Sequence, residues 1–117
     1  MITEEDVTQQ FTFIMQQYHP TAWELLRHCY IKVLNSSLEG AYTAHAKHIK
    51  IYCPDRLIDA VVAEKNLLIE VAESLGLVEV VCLNATNLLH DPKSQIKKAY
   101  PQLWLDLMWI VTQKQEL

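Results

Sequence analysis

Glycine is nearly absent from this sequence, with only Gly40 and Gly76 among 117 residues. A phosphate-binding loop of the form G-x-x-x-x-G-K needs closely spaced glycines so that the backbone can approach the phosphates. No such pair exists in the chain. The sequence therefore excludes an ATPase that uses this loop.

Charge is also sparse, and basic charge in particular. Only 21% of the residues are charged, and ten lysines and arginines against fourteen acids give a net charge of -4. A dedicated nucleic-acid-binding protein normally carries a basic face, which this balance argues against. Half of the residues are hydrophobic, which excludes disorder for most of the chain and fits one domain.

Cysteines are few and odd in number: Cys29, Cys53 and Cys82. The N-terminus is acidic and lacks the charged-then-apolar pattern of a signal segment. The longest apolar run, around Leu103 to Val111, is interrupted by Asp106 and is too short to cross a bilayer. These absences predict a soluble protein of the reducing cytoplasm, with no membrane contact.

Two helices are predicted at the start of the chain. Thr3 and Asp6 can cap the first, which ends before Pro20 because proline disfavours helical geometry in the residue before it. A T-x-x-E sequence at Thr21 has the form of a capping box and predicts a second helix to about Asn35. The apolar stripe of the first helix is Val7, Phe11, Ile14, Met15 and Tyr18.

Alternating residues then predict two paired strands. The first includes Tyr42 to Ala44, and the second runs from His48 to Cys53 after a turn near His45 to Lys47. Successive side chains of a strand point to opposite faces of the sheet. One face of the second strand carries Ile49, Ile51 and Cys53, and the other carries His48, Lys50 and Tyr52.

A third helix and a third strand follow. Pro54 ends the second strand, Asp55 is a natural N-cap for the helix, and Gly76 closes it. The segment from Leu77 to Leu83 is rich in β-branched residues. Because its apolar run is nearly continuous, it predicts a central strand.

Helical patterns return near the C-terminus. Asp91-Pro92 has the form of a cap followed by a first-turn proline, and Pro101 begins a strongly apolar helix. One side of that helix carries Leu103, Trp104, Leu107, Met108 and Val111, and another side carries Leu105, Trp109 and Ile110. A chain this small offers its own core to only one side, so the pattern predicts a homo-oligomer through this C-terminal helix.

The order of these elements is helix, helix, strand, strand, helix, strand. It predicts an α+β fold with a small three-stranded sheet packed with helices. We expect one domain over residues 1–117, with the α+β core at 1–84 and a helical extension at 85–117.

The strand-to-helix junction Ile49-Lys50-Ile51-Tyr52-Cys53-Pro54-Asp55-Arg56-Leu57 resembles that of the N-terminal domain of the bacterial replication initiator DnaA. The family pattern is apolar-x-apolar-Tyr-x-Pro-Asn-Arg-aromatic, so Asp55 and Leu57 depart from it. Residues 20–84 can be placed on the family's K-homology-like order of elements. A helical extension stands here where that family has a flexible linker and an ATPase module.

The resemblance implies an adaptor. Domains of that family self-associate and dock replication partners such as the replicative helicase. It does not imply RNA binding, because a functional K-homology motif needs a G-x-x-G loop that this chain lacks.

Catalytic and metal-binding groups are not predicted. A zinc site can be imagined from His28, Cys29, His45, His48 and Cys53, but strand parity places His48 and Cys53 on opposite faces. No Cys-x-x-Cys or His-x-x-x-His spacing is present. We therefore expect no metal, no cofactor and no enzyme chemistry.

The favoured hypothesis is a protein–protein interaction module, possessing two candidate surfaces. One is the outer strand face with Lys50, Tyr52 and Arg56, and the other is the second apolar side of the last helix with Leu105, Trp109 and Ile110. Tryptophan, tyrosine and arginine are the usual interface anchors. Two alternatives stay open: a weak nucleic-acid accessory protein that uses its local lysines, and a small ligand-binding domain or enzyme.

Overall fold

The computed structural model describes residues 3–36 and 46–112. Within them, three strands and seven helices follow one another along the chain. Their bounds are α1 Glu4–Tyr18, α2 Pro20–Leu26, β1 Tyr30–Ser36, β2 Ala46–Cys53, α3 Ile58–Ala63, α4 Lys65–Ser74, β3 Glu79–Asn84, α5 Ala85–His90, α6 Ile96–Ala99 and α7 Pro101–Thr112. The predicted α+β class and the order of the elements are confirmed.

The sheet is mixed, with β2 at its centre. β1 pairs with β2 in antiparallel fashion, with Val33 opposite Ile49, and β2 pairs with β3 in parallel fashion, with Ile51 opposite Cys82. A parallel pair needs a long crossover connection, which α3 and α4 supply. The prediction that β3 is the central strand is wrong, because β3 pairs with β2 alone and lies at the edge of the described sheet.

The start of the chain largely follows its local signals. The Thr3 hydroxyl accepts from the Asp6 amide at 3.1 Å, and the Asp6 carboxylate accepts from the Thr3 amide at 2.9 Å, which completes a capping box. α1 ends at Tyr18, as predicted. α2, however, begins with Pro20 at its first position and has no side-chain cap, so the capping box predicted at Thr21 is wrong.

The second predicted helix is wrong beyond Leu26. The chain leaves the helix there, and Tyr30–Ser36 forms the strand that pairs with β2. Tyr30, Ile31 and Val33 are aromatic or β-branched residues that favour strands, and seven paired positions on β2 outweigh a weak helical pattern. Tyr42–Ala44, predicted as this strand, lie outside the described residues. The second predicted strand is confirmed and starts two residues earlier, at Ala46.

The helix after β2 is interrupted and begins late. α3 and α4 are separated at Glu64, and α3 starts at Ile58 without a side-chain cap, so Asp55 is not its N-cap. The Asp55 carboxylate instead accepts from the Asn84 side-chain amide at 2.9 Å, and the Asp55 backbone amide donates to the Thr86 hydroxyl at 2.9 Å. These contacts tie the end of β2 to the end of β3.

Gly76 closes α4 as predicted. Its φ of +81° is a left-handed conformation that glycine adopts without steric cost. The turn allows Leu77 to return into the core, with 3% of its surface exposed. β3 then begins at Glu79.

Helices cover both faces of the sheet. The first face packs against α1 to α4 and holds the larger apolar cluster, which includes Ile49, Ile51 and Cys53, all fully buried. The second face packs against α5 and α7 through a smaller cluster that includes Tyr52 and Leu107. The helical extension therefore folds back to form a third layer over part of the sheet.

The segment at Asp91 departs from prediction. Asp91 follows α5, and its carboxylate accepts from the Lys93 amide at 2.9 Å in a turn, so no helix starts at Pro92. A short helix starts only at Ile96. The helix predicted from Pro101 is confirmed as α7.

Candidate interaction surface

Tyr52 lies under α7 and not on the outside of the protein. Only 5% of its surface is exposed, and it shares a cluster with Leu107 and Ile110. The prediction that Tyr52 is an exposed anchor is therefore wrong. The cause is the return of α7 over this end of the sheet, which strand alternation alone does not reveal.

A second tyrosine accompanies it from β1. The rings of Tyr30 and Tyr52 have centroids 6.0 Å apart and are tilted by 42°. Burial raises the pKa of Tyr52 above its ordinary value. Burial also raises the pKa of Tyr30, with further contributions from the charge of Asp106 and a hydrogen bond to it. Both phenols are held neutral in the layer between α7 and the sheet.

The six predicted interaction residues fall into separate places. Ile110 is 8% exposed and belongs to the core beneath α7, so placing it with Leu105 and Trp109 is wrong. Leu105 and Trp109 are 55% and 67% exposed, as predicted for an outer side.

The two basic members of the predicted set do not share one surface. Arg56 is exposed in the turn after β2, next to the contacts of Asp55. Lys50 lies in the middle of β2 on the second face. Tyr52 and the α7 layer occupy the part of the face towards that turn.

The exposed side of α7, here called the α7 surface, carries no charge. Its exposed residues are Pro101, Gln102, Leu105, Trp109 and Thr112. Leu105 and Trp109 are one turn apart and lie side by side along the helix. The only charged residue of α7 is Asp106, which accepts from the Gln102 side-chain amide at 3.2 Å. The helix thus presents an apolar stripe with a polar border that includes Gln102 and the partly exposed Asp106 carboxylate.

A cation–π contact holds the start of this helix. The Lys97 ammonium lies 4.9 Å from the centre of the Trp104 ring. It joins α6 to α7. Trp104 is therefore partly covered within the chain, whereas Trp109 is not.

The rest of the second sheet face forms another surface, here called the open sheet surface. α5 and α7 pack over the end with Tyr30, Tyr52 and Leu83. The other end lies beyond the helices that the structure describes. It consists of Lys32, Leu34, His48, Lys50, Glu79 and Val81.

Lys32 and Lys50 face each other directly across the β1–β2 pair. Beside them, His48 Nδ1 lies 3.2 Å from Glu79 Oε1. The direction is not that of a hydrogen bond, and this nitrogen has no hydrogen-bond partner among the residues described. Lys32 is missed from the sequence because the pattern predicts a helix to about Asn35. The period-two alternation of Tyr30, Lys32 and Leu34 is the signal that identifies it.

The cysteines lie on the first face of the sheet. Cys53 is fully buried, and Cys82 is partly buried against the same cluster. The pKa of Cys53 is raised above its ordinary value, mainly by interaction with the neighbouring Cys29 thiol and secondly by burial. His28 and Cys29 sit in the bend after α2 and not within a helix. Within residues 3–36 and 46–112, no group of three His, Cys, Asp or Glu side chains is arranged to hold a metal ion. His45, a member of the imagined zinc site, lies outside these residues.

One groove lies along α1, between its outer side and the end of α4. It has a volume of about 550 Å³ and is lined by Asp6, Gln9, Gln10, Phe13, Ile14 and Leu75. Its one carboxylate belongs to the capping box of α1. The groove therefore brings no set of reactive groups together.

Comparison with protein-family models, curated proteins and solved structures finds no significant match for this chain. Across the described ranges, none of the helices is both long and apolar enough to cross a membrane.

Proposed function

We propose that this protein is a non-enzymatic interaction module that self-associates through the α7 surface and acts as an adaptor. The observation that carries the proposal is the pair Leu105 and Trp109, 55% and 67% exposed on an uncharged helix side. Large apolar side chains left in water on a well-packed helix favour burial against a partner. Tryptophan is among the residues that most often dominate binding energy.

The opposite side of α7 supports a rigid presentation of this stripe. Leu107 is fully buried and Ile110 nearly so, both against the second face of the sheet. A helix that is fixed on one side loses little conformational entropy when its other side binds. α7 is thus a preformed docking element.

A second copy of the chain is the partner that fits best. The chain carries a net charge of -4, which repels another copy in general, but the α7 surface itself contributes no charge. Two such stripes can pack together without burying an unpaired ion, which would be costly.

The role in replication is the second part of the proposal. It rests on the resemblance of residues 49–57 to the DnaA junction, with the replicative helicase as the expected partner. Lys50, Asp55 and Arg56 are the side chains of that stretch that lie outside the core. The odd number of cysteines supports the reducing cytoplasm as the compartment.

Light scattering after size-exclusion chromatography tests the self-association. The wild type should elute as a dimer at micromolar concentration, and Trp109→Glu should be a monomer because a carboxylate would be buried in the contact. Tyr18→Glu is the matched control, since Tyr18 is an aromatic residue 72% exposed on α1. A monomeric wild type would refute the proposal.

Affinity purification from the native cytoplasm tests the replication partner. The tagged wild type should retain the replicative helicase, identified by mass spectrometry, and a Lys50→Glu/Arg56→Glu variant should not. If the helicase is absent from the wild-type sample, the replication role is wrong while self-association is unaffected.

A further inference from the structure

From the open sheet surface, we infer that this protein has a second binding site, which takes an acidic, partly apolar segment of a partner protein between Lys32 and Lys50. The site is distinct from the α7 surface and does not depend on self-association. Its evidence is the placement of two unpaired lysines on a partly buried sheet face.

Lys32 and Lys50 are direct cross-strand neighbours on β1 and β2. Opposed side chains in an antiparallel pair are close enough to interact, and like charges there are destabilising. Both residues are only partly exposed. Two like charges therefore face each other at this position.

In the part of the chain that the structure describes, Glu4 and Glu5 of α1 line a groove together with Lys32. Neither ammonium has an ion-pair or hydrogen-bond partner there. The carboxylate of Glu79, on the same face of β3, lies 3.2 Å from His48 Nδ1 and forms no ion pair with either lysine. Asp106 accepts from the Gln102 side-chain amide on α7. The positive charge is left for a ligand.

The neighbours of the lysines define the ligand further. Leu34 follows Lys32 on the same face of β1, and Val81 lies opposite Lys50 on β3. Both are partly buried apolar side chains. A segment that places carboxylates on the two ammonium groups can place apolar side chains on Leu34 and Val81. This alternation fits an acidic peptide with interspersed apolar residues.

Nucleic acid fits this surface less well. Single strands are usually held by exposed aromatic rings and a longer basic track. The two tyrosines of this face are covered by α7, with Tyr52 5% exposed.

Fluorescence anisotropy with a short labelled peptide of alternating glutamate and leucine tests the site. The wild type should bind it, and should bind the glutamine–leucine version far more weakly. Lys32→Met/Lys50→Met should weaken binding about tenfold or more, because two charge-assisted contacts are lost. Lys93→Met/Lys98→Met has the same net charge and changes exposed lysines elsewhere, so it should bind like the wild type.

A stability measurement separates a binding role from a structural one. Because the opposed lysines repel each other, Lys32→Met/Lys50→Met should unfold at a higher urea concentration than the wild type while losing the peptide. Lys32→Glu/Lys50→Glu keeps the like-charge pair and should instead bind a lysine–leucine peptide.

Three results would overturn the inference. The first is a wild type that does not bind the glutamate–leucine peptide. The second is binding that falls equally in the Lys93→Met/Lys98→Met control. The third is tighter binding of a labelled single-stranded oligodeoxythymidylate than of the acidic peptide, which would indicate a nucleic-acid site.

Discussion

Leu107 is the side chain that we expect to fix α7 to the sheet, and its replacement by alanine measures this directly. Leu107 has no exposed surface and belongs to the cluster with Tyr52, Ala85 and Ile110. Leu105, two residues earlier on the same helix, is 55% exposed. Leu107→Ala and Leu105→Ala remove the same atoms and change helix propensity equally, so they form a matched pair.

The expected magnitudes differ because burial differs. Removing three buried carbon groups costs roughly 2.5 kcal/mol of transfer free energy, and a residual cavity raises the total to about 3–4 kcal/mol. Leu105 loses less than half of that contact area and leaves no cavity, so about 0.5–1 kcal/mol is expected. A domain of this size is stable by about 5–15 kcal/mol, so both variants should remain folded.

Urea unfolding followed by circular dichroism measures both free energies, in the Trp109→Glu background so that loss of the proposed dimer contact does not add to the cost of Leu105→Ala. We expect Leu107→Ala to be less stable than Leu105→Ala by at least about 2 kcal/mol. A difference below about 1 kcal/mol would refute the packing of α7 on the second sheet face.

Three further predictions test single groups. Burial raises the pKa of Tyr52 and Tyr30, so the native state keeps these protons at a pH near 10 at which the unfolded state loses them. The stability that the two phenols contribute is therefore present below about pH 10 and should be lost as the pH rises above it. Phenolate absorbance of two of the five tyrosines should therefore appear late and together with unfolding, and an early appearance contradicts their burial. The Cys53 thiol, buried and with its pKa raised, should react with an aromatic disulfide reagent only after unfolding, as mapped by peptide analysis; prompt labelling in the native protein would show that it is accessible. Gly76→Ala should lower the free energy of unfolding by about 1 kcal/mol, because φ at this position is +81°. Nothing lies within 4 Å of the added carbon, so the loss would come from backbone strain alone, and an unchanged midpoint of urea unfolding would disprove that strain.

Local signals in the sequence were sufficient where one physical rule decides the conformation. Pro20 ends α1, Gly76 ends α4, and the alternation along Ile49, Ile51 and Cys53 identifies their buried face. Each of these outcomes depends on the residue's own geometry or on strand parity, so no distant contact was needed.

Distant contacts explain the errors. No proline or glycine separates Leu26 from the strand Tyr30–Ser36, and only pairing with β2 distinguishes that strand from a continued helix. Asp55 has the chemistry of an N-cap, yet Asn84 is in reach from another strand. Such contacts cannot be deduced from a local window of the sequence.

The candidate site was predicted in part for the same reason. Leu105 and Trp109 follow from helical periodicity, which places them on one side of α7. The burial of Tyr52 and the opposition of Lys32 to Lys50 require the position of α7 and the sheet register. The second site therefore emerges only from the tertiary structure.

Site-specific photocrosslinking tests the central claim most directly. With a benzophenone amino acid in place of Trp109, irradiation should yield covalent dimers whose crosslinked peptide lies within residues 101–112 of the second copy. The same group in place of Tyr18, which is also exposed, should yield few or none. Dimers absent at position 109, or linked to a different surface, would contradict self-association through the α7 surface.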